Sequence, residues 1–246
     1  MGEVLNLLEM KRWNRWLIGS HVLILSILLL SYLLMIAFRS SGYNPELYKK
    51  AYLYMMSLNV ILISCLIPIW KESWTKAKIL EIALEILWLN FSYVPLILML
   101  FSIGQLHGVN LLLPLWIQIL WSGVLFTLKD FFSALNLSEQ WKNYIFIIWI
   151  GFMLFISLIF LFLYSQYAEL VLTTIYDKDI PKGFFLNPLL TISGLLYYQT
   201  GGTTQMNMEP VLIFSLFWCS FILLCYGVTH SYQRRARGIV YEKSKN

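Results

Sequence analysis

Six apolar stretches, each long enough to cross a lipid bilayer, occupy about half of this chain. They run Trp16–Phe38, Tyr52–Trp70, Ile79–Phe101, Val109–Leu128, Tyr144–Tyr164 and Val211–His230. A spanning helix needs ~20 predominantly apolar residues, because each residue rises 1.5 Å and the hydrocarbon layer is ~30 Å thick. Inside that layer only helices and closed barrels can satisfy their own backbone groups. The pattern predicts an all-α polytopic membrane protein. No internal repeat, linker or low-complexity tract divides it, so residues 1–246 form one transmembrane domain.

Composition agrees. Hydrophobic residues are 59% of the chain and charged residues 13%, about half the charge of an ordinary soluble domain. The net charge of +5 does not point to nucleic acid, because the basic residues sit in short loops beside apolar helices. Placing both termini in the cytoplasm puts Lys11, Arg12, Arg15, Lys71, Lys76, Lys78, Lys129, Lys142, Arg234, Arg235, Arg237, Lys243 and Lys245 inside. That is thirteen of the 18 basic residues, against Arg39, Lys49, Lys50, Lys178 and Lys182 outside. The excess predicts a topology with both termini inside. Trp13, Trp16, Trp70, Trp74, Trp141, Tyr144, Tyr164, Tyr167 and Tyr232 fall at span ends, where an interfacial aromatic belt lies.

Lys11, Arg12 and Arg15 precede an apolar run, as in a signal peptide. The run is too long for one and lacks a small-residue cleavage site, so it reads as a retained first helix. Asn6 stands where a myristoylation signal wants Ser or Thr. Cys65, Cys219 and Cys225 lie within spans and read as small apolar residues. His21, His107 and His230 fall near the ends of different spans, so no shared metal is predicted. There is no phosphate-binding loop and no His-Glu-x-x-His. The sequence also lacks the residue pattern of an intramembrane protease. No catalytic residue, and no enzyme, is predicted.

Several shorter segments are informative. Val4, Leu5, Leu7, Leu8 and Trp13 gather on one helical face, which predicts a short amphipathic helix at the inner interface. Lys71–Lys78, between spans two and three, has the length and charge of a short cytoplasmic helix or of a solvated loop. Glu81 and Glu85 share one helix face at the start of span three. They either snorkel to water or pair with Lys78, or else face a partner or a transport path. Between spans five and six, Asn187-Pro188 marks a helix start, with Asn as cap and Pro at the first position. The run from Pro188 to Tyr198 is too short to span, which predicts short outer helices dipping into the membrane. Asn59, Ser64, Asn90, Ser92, Tyr93 and Gln118 are polar groups inside spans. They line a pathway or hold helices together.

The plan resembles the membrane subunit of an ABC-2 type exporter. The shared elements are an amphipathic amino-terminal helix, six spans with both termini inside, and a short segment between spans two and three. Short outer helices between spans five and six and a basic tail complete the list, in the same order over residues 1–246. The most specific match is Phe184–Tyr198 with its Asn187-Pro188 start. In the family's inner loop an acidic residue is followed by Gly-Thr; here Glu72-Ser-Trp-Thr75 keeps the Glu and Thr and lacks the Gly. The resemblance implies that Lys71, Glu72, Trp74, Thr75 and Lys76 contact a separate ATPase, present in two copies and carrying ATP-Mg. It implies a second permease, identical or homologous, in a bacterial plasma membrane. Asn187 and Pro188 would begin an exit helix packed on the outer ends of spans five and six. Asn59, Asn90, Tyr93 and Gln118 would face the path of an amphipathic cargo such as a peptide, lipid, lipid-linked glycan or hydrophobic drug. The alternative is a non-transporting membrane accessory protein or an unrecognised intramembrane enzyme.

Overall fold

The computed structural model describes residues 2–39, 44–71, 78–91, 93–106, 109–135, 137–170, 182–197, 206 and 208–243. These form helices α1 (Gly2–Arg39), α2 (Pro45–Ile69), α3 (Lys78–Phe91), α4 (Val94–Ser102), α5 (Val109–Ala134), α6 (Glu139–Leu170), α7 (Pro188–Tyr197) and α8 (Met208–Lys243), with a 3-10 turn at Lys182–Leu186 before α7. No strand occurs among the described residues. Five helices are long and apolar enough to cross a membrane: Lys11–Phe38, Pro45–Ile69, Leu111–Ala134, Gln140–Phe160 and Met208–Tyr232. The distribution of side chains is inverted relative to a water-soluble bundle. Leu216 is 69% and Leu223 70% exposed, whereas Asn59 and Gln118 are fully buried. Water would penalise that arrangement on both counts, and lipid penalises neither. This is a helical integral membrane protein.

The long helices begin and end where local chemistry dictates. Asn44 caps α2 by accepting a hydrogen bond from the Glu46 amide at 3.0 Å, with Pro45 at the first position. Two expectations change. The first fifteen residues do not form a separate interfacial helix; they run unbroken into α1. The third apolar stretch is two helices, α3 and α4, bent by 46° across a short break. Pro95 accounts for the break. It has no N–H for the carbonyl of Phe91, and its ring crowds that carbonyl.

α5 is the hub. It packs against α2, α3, α4, α6, α7 and, most extensively, α8. Gly123 of α5 faces Ile222 of α8, and a Cβ there would make an ordinary contact at 3.5 Å. Trp121 of α5 stacks on Trp149 of α6, with ring centroids 5.5 Å apart. Both meet Trp218 of α8 edge to face, at 5.4 and 6.3 Å. These three tryptophans, unlike those at the span ends, tie the bundle's centre together.

α7 is seated among other helices. Leu189, Leu190, Thr191, Ile192 and Leu196 are almost fully buried. The helix packs against α2 and α5 and also touches α6 and α8, so its seat extends well beyond the ends of two neighbours. The Trp218 indole donates to the Leu186 carbonyl at 2.8 Å just before α7 begins. Gly194 permits a close fit: a Cβ there would lie 2.7 Å from Met206 Sδ and 3.2 Å from the Phe185 ring.

Candidate functional site

A polar seam crosses the apolar interior. His21 of α1, Asn59 of α2 and Gln118 of α5 are all buried. The imidazole Nε2 lies 2.7 Å from Asn59 Oδ1, and Asn59 Nδ2 donates to Gln118 Oε1 at 2.9 Å. Gln118 Nε2 donates to the Met56 carbonyl at 2.7 Å. That carbonyl can only accept, so it sets the direction of every bond in the chain. The Gln118 amide nitrogen must face Met56, its oxygen must receive from Asn59, and Asn59 Oδ1 must receive from His21. Nε2 therefore carries a proton, and in a neutral imidazole Nδ1 is then an acceptor.

Other polar side chains within the spans bond to backbone carbonyls. The Tyr93 hydroxyl donates to the Met55 carbonyl at 2.7 Å, and the Tyr52 hydroxyl to the Leu111 carbonyl at 2.6 Å. Asn90 Nδ2 donates to the Ile86 carbonyl at 2.8 Å. Two atoms here have no hydrogen-bond partner among the described residues: His21 Nδ1 and Asn90 Oδ1. An apolar groove of about 240 Å³ lies one turn further along, between α1, α2 and α4.

A second polar cluster gathers where α2 ends. The Lys129 ammonium, from α5, donates to the carbonyls of Ile67 at 2.9 Å, Pro68 at 3.0 Å and Trp70. A lysine cap is apt there, because the last carbonyls of a helix are unsatisfied and carry the negative end of its dipole. Asn14 of α1 grips the next residue in both directions: its Nδ2 donates to the Lys71 carbonyl at 2.8 Å, and the Lys71 amide donates to its Oδ1 at 3.1 Å. Lys71 Nζ sits 5.2 Å from the centroid of the Trp13 ring. The Trp70 indole donates to Glu85 Oε2 at 3.1 Å, and Lys11 pairs with Glu81 at 3.9 Å. The two carboxylates of α3 thus serve this junction. Three helices, α1, α3 and α5, hold the chain where it leaves α2.

On a different face of α2, Asn187 caps α7 as its sequence predicts. Its Oδ1 accepts from the Leu189 amide at 3.0 Å, and its Nδ2 donates to the Met153 carbonyl midway along α6 at 3.1 Å. The cap is buried beside Ser64, Trp121 and Ser157. Asn187→Ala removes both bonds. Loss of a cap costs ~0.5–2 kcal/mol and a bond within a membrane bundle about 0.6 kcal/mol. Amide hydrogen exchange over α7 should accelerate by about 5–30-fold, with α2, α5 and α8 unaffected. Unchanged exchange in α7 would show that packing alone seats it.

The structure thus brings Asn59 and Gln118 into direct contact, and sets Asn90 near the end of α3 and Tyr93 at the turn that caps α4. It places Lys71 and Asn187 in separate clusters. Glu72, Trp74, Thr75, Lys76 and Ser92 lie outside the described residues. Sequence reasoning missed His21 and Lys129. The signal for His21 was its place inside the first span, where an ionisable side chain faces a bundle interior by default. Among the described residues no three His, Cys, Asp or Glu side chains converge as a metal site would need, and the cysteines are free. No protein-family model, curated protein or solved structure matches the chain.

Proposed function

We propose that this chain is the membrane-spanning permease subunit of an ATP-driven exporter of the ABC-2 type, moving an amphipathic substrate out of the cytoplasm or the inner leaflet. The observation that carries the reading is the junction after α2. An ATPase can move a permease only through a segment firmly tied to the spans. Here the chain entering residues 72–77 is tied by Asn14, Glu85 and Lys129 to three helices at once. Motion imposed on Lys71, Glu72, Trp74, Thr75 and Lys76 would pass into α1, α3 and α5 together.

In this reading α3 and α4 form one bent span, giving six, the excess of Lys and Arg at the junction end supports a cytoplasmic placement of that end, and the membrane is a bacterial plasma membrane. α7 becomes a re-entrant helix, entering from outside and starting near mid-membrane. Irregular backbone at that depth is tolerated because it is buried in protein. Two ATPase subunits carry ATP-Mg, and a second permease, identical or homologous, completes the path. The buried polar groups Asn59, Asn90, Tyr93 and Gln118 would lie beside it.

Gentle purification should yield the chain with an ATPase whose own sequence carries a phosphate-binding loop. In the reconstituted complex, Glu72→Lys should lower cargo movement at least ~10-fold while ATP hydrolysis and membrane abundance persist, since a coupling contact worth about 1.4 kcal/mol is a factor of ten. Normal movement in that variant removes the coupling role. Cysteines at the exposed positions Glu46 and Gln140 test the orientation: an impermeant thiol reagent should reach the first from outside and the second only after the membrane is opened. The reverse pattern ends the proposal.

A further inference from the structure

We infer that the recess where α5 ends and α6 begins binds the headgroup of an anionic phospholipid, phosphatidylglycerol being the simplest case. The recess lies between Lys129, Phe132 and Ser133 of α5 and Lys142, Asn143 and Phe146 of α6, beside the end of α2. The apolar part of α5 runs to Ala134 and that of α6 starts at Gln140, so the recess stands at one end of two spans. Trp141 and Tyr144, on either side of Lys142 and Asn143 in the chain, are 65% and 60% exposed. Exposed aromatic rings at span ends settle at the depth of lipid headgroups. The recess is therefore level with lipid phosphates and not with acyl chains. It is shallow, about 20 Å³, so a headgroup rests across its mouth and is not enclosed.

The lining sets a polar rim beside an apolar floor. Phe132 and Phe146 meet edge to face, with ring centroids 6.2 Å apart. Above them are two ammonium groups and, among the described lining residues, no carboxylate. Asp130 adjoins Lys129 in the chain but does not line the recess. Lys129 donates to the carbonyls of Ile67, Pro68 and Trp70. Carbonyls carry no net charge, so a full positive charge stays at the recess, and Lys142 adds a second. Ser133 and Asn143 supply short polar groups for phosphate and glycerol oxygens. Other cations at this end of the bundle have different neighbours: Lys11 pairs with Glu81, and Lys71 lies over the Trp13 ring. Basic pockets between spans are the usual seat of anionic headgroups. A zwitterionic lipid would bring its own cation against the same two ammonium groups. A soluble phosphate would leave the flank beside the recess unused. That flank is apolar: Ile145, Ile148 and Phe152 of α6 are exposed and share one helix side, beginning one turn from Lys142. An acyl chain fits along it while the headgroup holds the lysines.

The inference does not depend on the exporter reading, and lipid binding to the full chain alone tests it. Two photoreactive lipids with the same acyl chains, a phosphatidylglycerol and a phosphatidylcholine, carry the reactive group close to the glycerol. Each is offered as a minor component of phosphatidylcholine nanodiscs holding the chain. The phosphatidylglycerol probe should label residues 129–146 at least about tenfold more than the phosphatidylcholine probe. One cation near a membrane surface contributes about fivefold, or ~1 kcal/mol, and the recess has two. Lys142→Gln removes one charge without touching the cap of α2. It should lower the preference about fivefold and leave phosphatidylcholine labelling unchanged. Millimolar inorganic phosphate at constant ionic strength should not compete. Equal labelling by the two probes on the parent chain overturns the inference, as does phosphatidylglycerol labelling spread evenly over other span ends. A Lys142→Gln variant that keeps the full preference also overturns it, and so does displacement by inorganic phosphate, which would make the recess a site for a soluble anion. The parent comparison stands whether or not the variant folds.

Discussion

Lys129→Met should lower the stability of the bundle by about 2–4 kcal/mol, one of the two largest effects expected from single substitutions. Met keeps the aliphatic stem and removes the ammonium. Three carbonyls at the end of α2, those of Ile67, Pro68 and Trp70, then lose a shared donor. A hydrogen bond to a charged group contributes ~1.5–3 kcal/mol, and a cation at a helix C-terminus a further ~0.3–1 kcal/mol. The three bonds share one ammonium and do not add in full, hence the estimate. Reversible unfolding in mixed micelles measures it. Lys129→Arg should recover only part of the loss, because a planar guanidinium cannot converge on three carbonyls as a compact ammonium does. A change in Lys129→Met below about 0.5 kcal/mol, the range of an ordinary surface substitution, would mean that water caps α2 as well as lysine does.

Asn59→Leu should cost about 2–4 kcal/mol, through a different mechanism. The substitution preserves volume and removes the middle member of the seam. The His21 N–H and the Gln118 carbonyl oxygen are then left buried without partners. Interhelical hydrogen bonds in membranes contribute only about 0.6 kcal/mol each on average. Orphaned buried groups cost ~1–3 kcal/mol apiece, so the orphans and not the lost bonds decide the magnitude. A double substitution tests this. Asn59→Leu with Gln118→Leu removes one orphan along with its partner, so its cost should fall below the sum of the two single substitutions by about 0.5–3 kcal/mol. Strict additivity would mean that the three side chains do not act as a unit.

Much of this architecture is local and was legible in the residues. Helix positions follow from unbroken apolar length, and the start of α7 follows from Asn187-Pro188, whose cap bond forms as the pair predicts. The larger polar side chains inside spans, Asn59, Asn90, Tyr93 and Gln118, turn inward, as the cost of facing lipid requires, whereas Ser26, Ser31 and Ser220 are exposed. The break before α4 was not legible. Pro68 and Pro114 sit inside continuous helices, so a proline such as Pro95 does not by itself announce an interruption in a membrane helix.

Partnership was decided only by tertiary structure. His21 and Asn59 are 38 positions apart, Asn59 and Gln118 59, and Lys129 and Ile67 62. Whether such residues meet depends on the rotation and depth of each helix in the bundle. In a soluble protein the apolar stripe reveals that rotation, since one face meets water. In lipid both faces of a helix are apolar, so hydropathy fixes where a helix lies along the chain and says little about which side faces its neighbours. The packing of the helices on one another supplied that information, and with it the seam, the lysine cap and the seat of α7.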